Sequence, residues 1–336
     1  MNTLIPEFHW QNVMVEPWTS AFGSTLAVVL MGFFAATACG LLGVFLILRR
    51  MALVGDAMSH SVLPGLVGGF LLAGTRSTGV MFAGALVAAM VTTLIIEFIH
   101  EKSRVKQDAA IGITFSTLFA FGVILITLFA DKVDLDQDCV LYGDMTHVGI
   151  AEPIQVGGVV LAPPAVLRMG IVAALTSLAI ALFYRSLLVS SFDPGLSVSL
   201  GINTRRVHHA LMIGLSIVVV SAFEAAGAIL VIAMLIVPGA TMLLLTHRLP
   251  RVLWGTVIHA ALSTLIGFHL AMWLECSVAA AMVVAGGGLF LLAWIASPSS
   301  GLLTRWLRSR RAVTLESGPE AGDDSSPEPG QERSQH

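Results

Sequence analysis

Charge is scarce in this chain. Asp, Glu, Lys and Arg make up 12% of its 336 residues, against roughly 25% in soluble proteins. Hydrophobic residues make up 56%, and mean hydropathy is +0.87. That balance excludes a soluble globular domain and predicts a polytopic membrane protein. Cysteine is scarce too. Cys39, Cys139 and Cys276 are too few and too scattered for a disulfide framework or a CxxC metal knuckle, and read as small apolar filler. No GxxxxGK[ST] occurs, so the chain has no P-loop for ATP. No HExxH occurs either, and a metalloenzyme would need three ligands and an acid/base group. Residues 1–20 hold no Lys or Arg, and the apolar run that follows, 21–48, is too long for the h-region of a cleavable signal peptide.

What is present is a series of apolar runs of membrane-spanning length. They fall at about 24–48, 55–74, 79–99, 109–130, 168–189, 208–225, 228–246, 252–273 and 277–297. The two runs flanking Glu224-Ala225-Ala226-Gly227 are short and could form one broken or re-entrant unit, so the expected all-α helix bundle has eight or nine spans. With the N-terminus outside, 15 of the 18 Lys and Arg residues fall on the cytoplasmic side and only Arg76, Lys132 and Arg168 outside. The positive-inside rule prefers this orientation. The division is then an external segment 1–20, a transmembrane domain 21–298, and a tail 299–336 that is basic at first, then acidic, polar and disordered in composition. An external acidic loop, 131–167, interrupts the domain. Its Asp134-x-Asp136-x-Asp138 spacing is not a calcium loop, because Cys139 and Met145 stand where glycine and a bidentate acid are required.

Ionisable side chains in hydrocarbon cost roughly 2.5–3.5 kcal/mol on insertion scales and are kept for a pathway or a partner. Asp56 and His60, in MALVGDAMSHSVLPGLVGG, stand four apart and so share one helix face. A carboxylate oxygen with an imidazole nitrogen is half a site for a divalent transition metal; a structural hydrogen bond between the two is the plainer alternative. Glu224 is a candidate pathway residue or a structural contact. Glu97 and His100 lie near a cytoplasmic helix end, where snorkelling accounts for them. His259 and His269, ten apart on one span, cannot share an ion. Gly65 and Gly69 form a small-residue packing face, and Pro64 and Pro238 predict kinks within spans. The polar break 190–206 is a candidate docking element, with Asp193 near a cap and Pro194 opening a short helix.

The stretch ILRRMALVGDAMSHSVLPGLVGGFLL resembles the second-helix signature of permease subunits of metal-type ABC importers. SFDPGLSVSLGI (191–202) and GAILVIAMLIVPGATMLLL (227–245) are similar to two further family segments, so the resemblance runs in order over residues 24–298. It implies an ABC importer permease fold, no enzymatic activity in this chain, and ATP hydrolysis on a separate cytoplasmic ATPase dimer. That dimer would be engaged through Phe192, Asp193, Pro194, Leu200 and Gly201. It also implies a second permease subunit (the same chain or a paralogue), an external metal-binding protein, and the bacterial plasma membrane, with lipid around the chain and no nucleic acid. No permanently bound cofactor is expected. Asp56 and His60 would contact the transported metal. Leu63-Pro64-Gly65 and the segment around Glu224 look more like manganese- or iron-type members than zinc-type ones. The rival reading is a secondary carrier or channel using the same Asp/His pair.

Overall fold

The computed structural model describes residues 6–74, 78–129, 145–150, 155–156, 159–160, 162–297 and 301. The acidic stretch with Asp131, Asp134, Asp136 and Asp138, and the tail from 302, lie outside the described residues, as do the side chains of Pro194 and Glu224. The elements are α1 (Glu16–Thr19), α2 (Phe22–Leu48), α3 (Val54–Ser61), α4 (Leu63–Ala73), α5 (Thr78–Lys102), α6 (Gln107–Leu128), α7 (Met145–Ile150), β1 (Gln155–Val156), β2 (Val159–Val160), α8 (Pro164–Leu182), α9 (Tyr184–Phe192), α10 (Pro194–Ser199), α11 (Thr204–Leu245), α12 (Leu249–Leu274) and α13 (Val278–Ala296). β1 and β2 form a two-residue antiparallel pair. Among the described residues seven helices are long and apolar enough to cross a membrane, and the fold is an all-α polytopic bundle.

The bundle is organised around α2, which is 83% buried, whereas α8 is 22% buried and faces outward along most of its length. A helix apolar on every side belongs inside, and small residues let its neighbours close in. Gly32 meets Met282 and Thr264, and Gly40 meets Thr256 and Pro238, so α2 and α12 run antiparallel. At Gly43 the approach is backbone to backbone: a Cβ there would collide with the Leu235 carbonyl. Interiors this dense respond to single methyl groups. We expect Gly43→Ala to cost roughly 1–3 kcal/mol, because a helical carbonyl cannot move aside without breaking its ladder. Gly287→Ala, with open space around it, is the control and should lose nothing. Thermal unfolding in detergent compares the two; equal midpoints would show that the α2–α11 contact is loose.

Helix α11 is 42 residues long, and a straight helix of that length would reach about 63 Å, twice a bilayer core. It is not straight. Gly227 has φ 72 and ψ 167. Ser216, before it, bonds Met58 at 3.8 Å, while Leu235, after it, presses on Gly55. Gly55 and Met58 lie three residues apart on α3, whereas a continuous helix would hold 216 and 235 about 28 Å apart. The chain therefore doubles back at Gly227, where only glycine takes that backbone without strain. The break comes at Gly227 and not at Pro238, which stays inside the helix.

Pro64, by contrast, falls at a helix start. It sits in the first turn of α4, after α3 ends at Ser61, where its missing N–H costs little. Gly65 and Gly69 bring α4 against Gly84 and Val80 of α5. Part of the stretch read as a solvated loop is packed: α7 buries Met145 and Val148, and its Gly149 touches Ser24 and Val28 of α2. The run read as 168–189 divides into α8 and α9 at Phe183.

Candidate metal centre

Asp56 is in the first turn of α3 and His60 in its last, and a carboxylate is favoured near a helix N-terminus. Between them Ala57, Met58 and Ser59 are at most 2% exposed and fasten the helix to the core. The acid and the imidazole lie on the open face, with their side chains 38% and 24% exposed. His60 Nε2 stands 3.4 Å from Asp56 Oδ1. Two donors bound to one ion at about 2.1 Å lie roughly 3.0–3.5 Å apart, so this separation suits shared coordination. On its α6 side the imidazole is boxed by Phe115 and Phe119, with ring centroids at 5.2 and 5.8 Å. Among the described residues no three His, Cys, Asp or Glu side chains converge as a metal site. One copy of the chain offers two ligands here.

A second candidate element lies at the end of the bundle that carries Arg49, Arg50 and Lys102. Asp193 caps α10 by accepting from the Leu196 N–H at 2.9 Å. Gly201, with φ +76, ends that element, and Asn203 caps α11 by accepting from the Arg206 N–H at 3.1 Å. Phe192, Leu196, Val198 and Leu200 are all about half exposed or more, while Ser197 is fully buried with no hydrogen-bond partner for its hydroxyl. Apolar residues outside and a serine inside reverse the usual partition of a solvated surface.

The element is tied to the core by a residue that reading the sequence did not single out. Arg49, in the turn after α2, donates to Ser190 at 2.7 Å and to Ser191 at 3.2 Å on α9. Burial pulls its guanidinium below the ordinary value, yet an arginine remains charged. Next to it Arg50 takes φ 60 as the chain turns into α3. Glu97, read from the sequence as a snorkelling side chain, has a partner that local spacing did not suggest. It is largely buried and pairs with His209 of α11 at 3.3 Å, so it does not snorkel. His259 is buried against Gly286 of α13, and His269 accepts from Trp18 and lies 2.9 Å from the Val13 carbonyl.

The family model for the ABC 3 transport family matches residues 22–297, which takes in both elements. The chain belongs to that family. This ABC 3 permease is 38% identical over 282 residues to "Manganese transport system membrane protein MntD" of Bacillus subtilis (strain 168), covering 84% of this chain and 95% of that one. It is 40% identical over 287 residues to "Zinc transport system membrane protein TroD" of Treponema pallidum (strain Nichols), covering 85% and 77%. Among solved structures it is similar to PsaBC from Streptococcus pneumoniae in complex with Fab. The TM-score is 0.71 at 28% identity, over 90% of this chain and 100% of that one. The permease is thus the membrane-embedded part of an ABC transporter and not its ATPase.

Proposed function

We propose that this permease carries manganese into the cytoplasm, with zinc as the second cation it accepts, as half of the membrane passage of an ATP-driven importer. The observation that carries the reading is the Asp56/His60 pair, held 3.4 Å apart on an open face of α3. A second permease, self or paralogue, facing the first would bring the set to two oxygens and two nitrogens, which suits manganese or zinc better than copper(I). A set split between subunits binds and also lets go, as a transporter must.

The charge distribution supports an external N-terminus and a cytoplasmic end bearing Arg49, Arg205, Arg248 and the basic start of the tail. In that orientation Phe192, Asp193, Pro194, Leu200 and Gly201 belong to the element that engages a cytoplasmic ATPase dimer, and 131–167 faces an external metal-binding protein. Glu224, three residues before the turn at Gly227, is proposed as a pathway residue on the ground that it is an ionisable residue in an apolar stretch. The manganese preference rests on similarity to MntD, and zinc on similarity to TroD. Iron is named by neither relative and ranks third.

Reconstitution with the ATPase and the external binding protein tests this directly. ATP hydrolysis should rise most with MnCl2, less with ZnCl2 and least with Fe(II). Zinc ahead of manganese would reverse the preference, and no stimulation by any of the three would remove the metal assignment. A secondary carrier would continue uptake after ATP depletion; the permease should stop.

A further inference from the structure

The structure contains a second carboxylate–imidazole pair. Glu97 Oε2 on α5 stands 3.3 Å from His209 Nδ1 on α11, with the glutamate side chain 18% exposed and the histidine 40%. The separation matches that of Asp56 and His60, but here the two donors come from different helices. Glu97 opens onto a cavity of about 440 Å³ at the basic end of the bundle, whose wall also includes His100, Glu101, His208 and Arg49. Glu101 is already committed, accepting from Arg205 at 2.6 Å. Val54, two residues before Asp56 on α3, forms part of the same wall, so the cavity adjoins the basic-end start of the helix that holds the first pair.

We propose that Glu97 and His209 bind a divalent transition cation reached from the cytoplasmic side. The orientation and the cation class rest on the functional reading above. A salt bridge alone is a poor account of this pair. It leaves one carboxylate oxygen and the far ring nitrogen without a hydrogen bond, and Glu97 lines a cavity with room for the waters that would complete the shell of a two-ligand ion. The donors are an anionic oxygen and an imidazole nitrogen, the same mixture as in the first pair, so the same ions bind. An ion held there bridges α5 to α11.

Titration calorimetry with MnCl2 and with ZnCl2 on the purified permease complex should find two classes of site. Glu97→Gln with His209→Gln should weaken one class by more than about tenfold and leave the other. Asp56→Asn with His60→Gln should do the converse, so the fate of each pair is read separately. His209→Gln alone, at the more exposed partner, serves should the double variant fold poorly. Thermal unfolding supplies the second arm. A merely structural ion pair would lower the metal-free midpoint in these variants and leave the metal-induced rise intact. The proposed site loses that part of the rise that survives in the Asp56/His60 variant. An unchanged number of sites together with an unchanged metal-induced rise overturns the proposal.

Discussion

Replacing Asp56 with asparagine should reduce manganese uptake by a factor on the order of 100 or more while the protein still inserts and assembles. The two consequences separate because the magnitudes differ. As a structural contact the pair is weak: its atoms are 3.4 Å apart and a quarter to two fifths of each side chain is exposed. Such pairs contribute roughly 0–1 kcal/mol, too little to unfold a bundle held by the α2 core. As a metal contact the carboxylate supplies the charge that offsets the cation in a medium where charge is costly. Asparagine keeps shape and much of the hydrogen bonding but removes that charge. His60→Gln should behave alike, because the amide is a poorer donor to a transition metal than imidazole. Uptake of radiolabelled manganese, read beside expression level and thermal midpoint, decides the matter. Normal transport by both variants, or failure of both to assemble, would sink the assignment.

The second large effect is expected at Gly201. Its φ of +76 is a conformation that costs other L-residues roughly 1–2 kcal/mol and β-branched residues more. Gly201→Val therefore redirects the chain between α10 and α11, and with it the exposed Phe192, Leu196 and Leu200. Arg49 ties α9 to the turn that leads into α3, so a displaced element no longer transmits to the helix bearing Asp56. Metal-stimulated ATP hydrolysis should fall about tenfold or more, the effect of some 1.4 kcal/mol in coupling, with basal hydrolysis retained. Nothing within 4 Å crowds Gly201, so insertion should be unaffected. Uptake at the ordinary rate in Gly201→Val would count heavily against a coupling role.

How much of this was legible in the sequence depended on the range of the interaction. Spans were legible because hydrocarbon demands long apolar runs: 24–48 became Phe22–Leu48, and 252–273 became Leu249–Leu274. The Asp56/His60 pair was legible because one helical turn brings i and i+4 together. The uncertainty between eight and nine spans centred on the segment containing Gly227, where the chain reverses. Pro238 was read as a kink within a span, and it lies inside α11. Glu97 with His209, and Arg49 with Ser190, were beyond reach, since no local spacing relates residues that only tertiary packing brings together. The packed stretch 145–150 was missed for the same reason: its apolar Met145 and Val148 acquire meaning only against α2.

The burial of α2 also bears on how the protein is made. The helix that the bundle encloses is translated before the elements that pack along it, which are α7 and α8 and then, most extensively, α11 and α12. Before the later helices are made, the glycine-lined side of α2 lacks the Leu235, Thr256 and Met282 neighbours that close on it in the folded chain. The returning arm of α11, Leu230–Leu245, is a short apolar helix for a span of its own, so its natural seat is the groove on α2 that has waited for it.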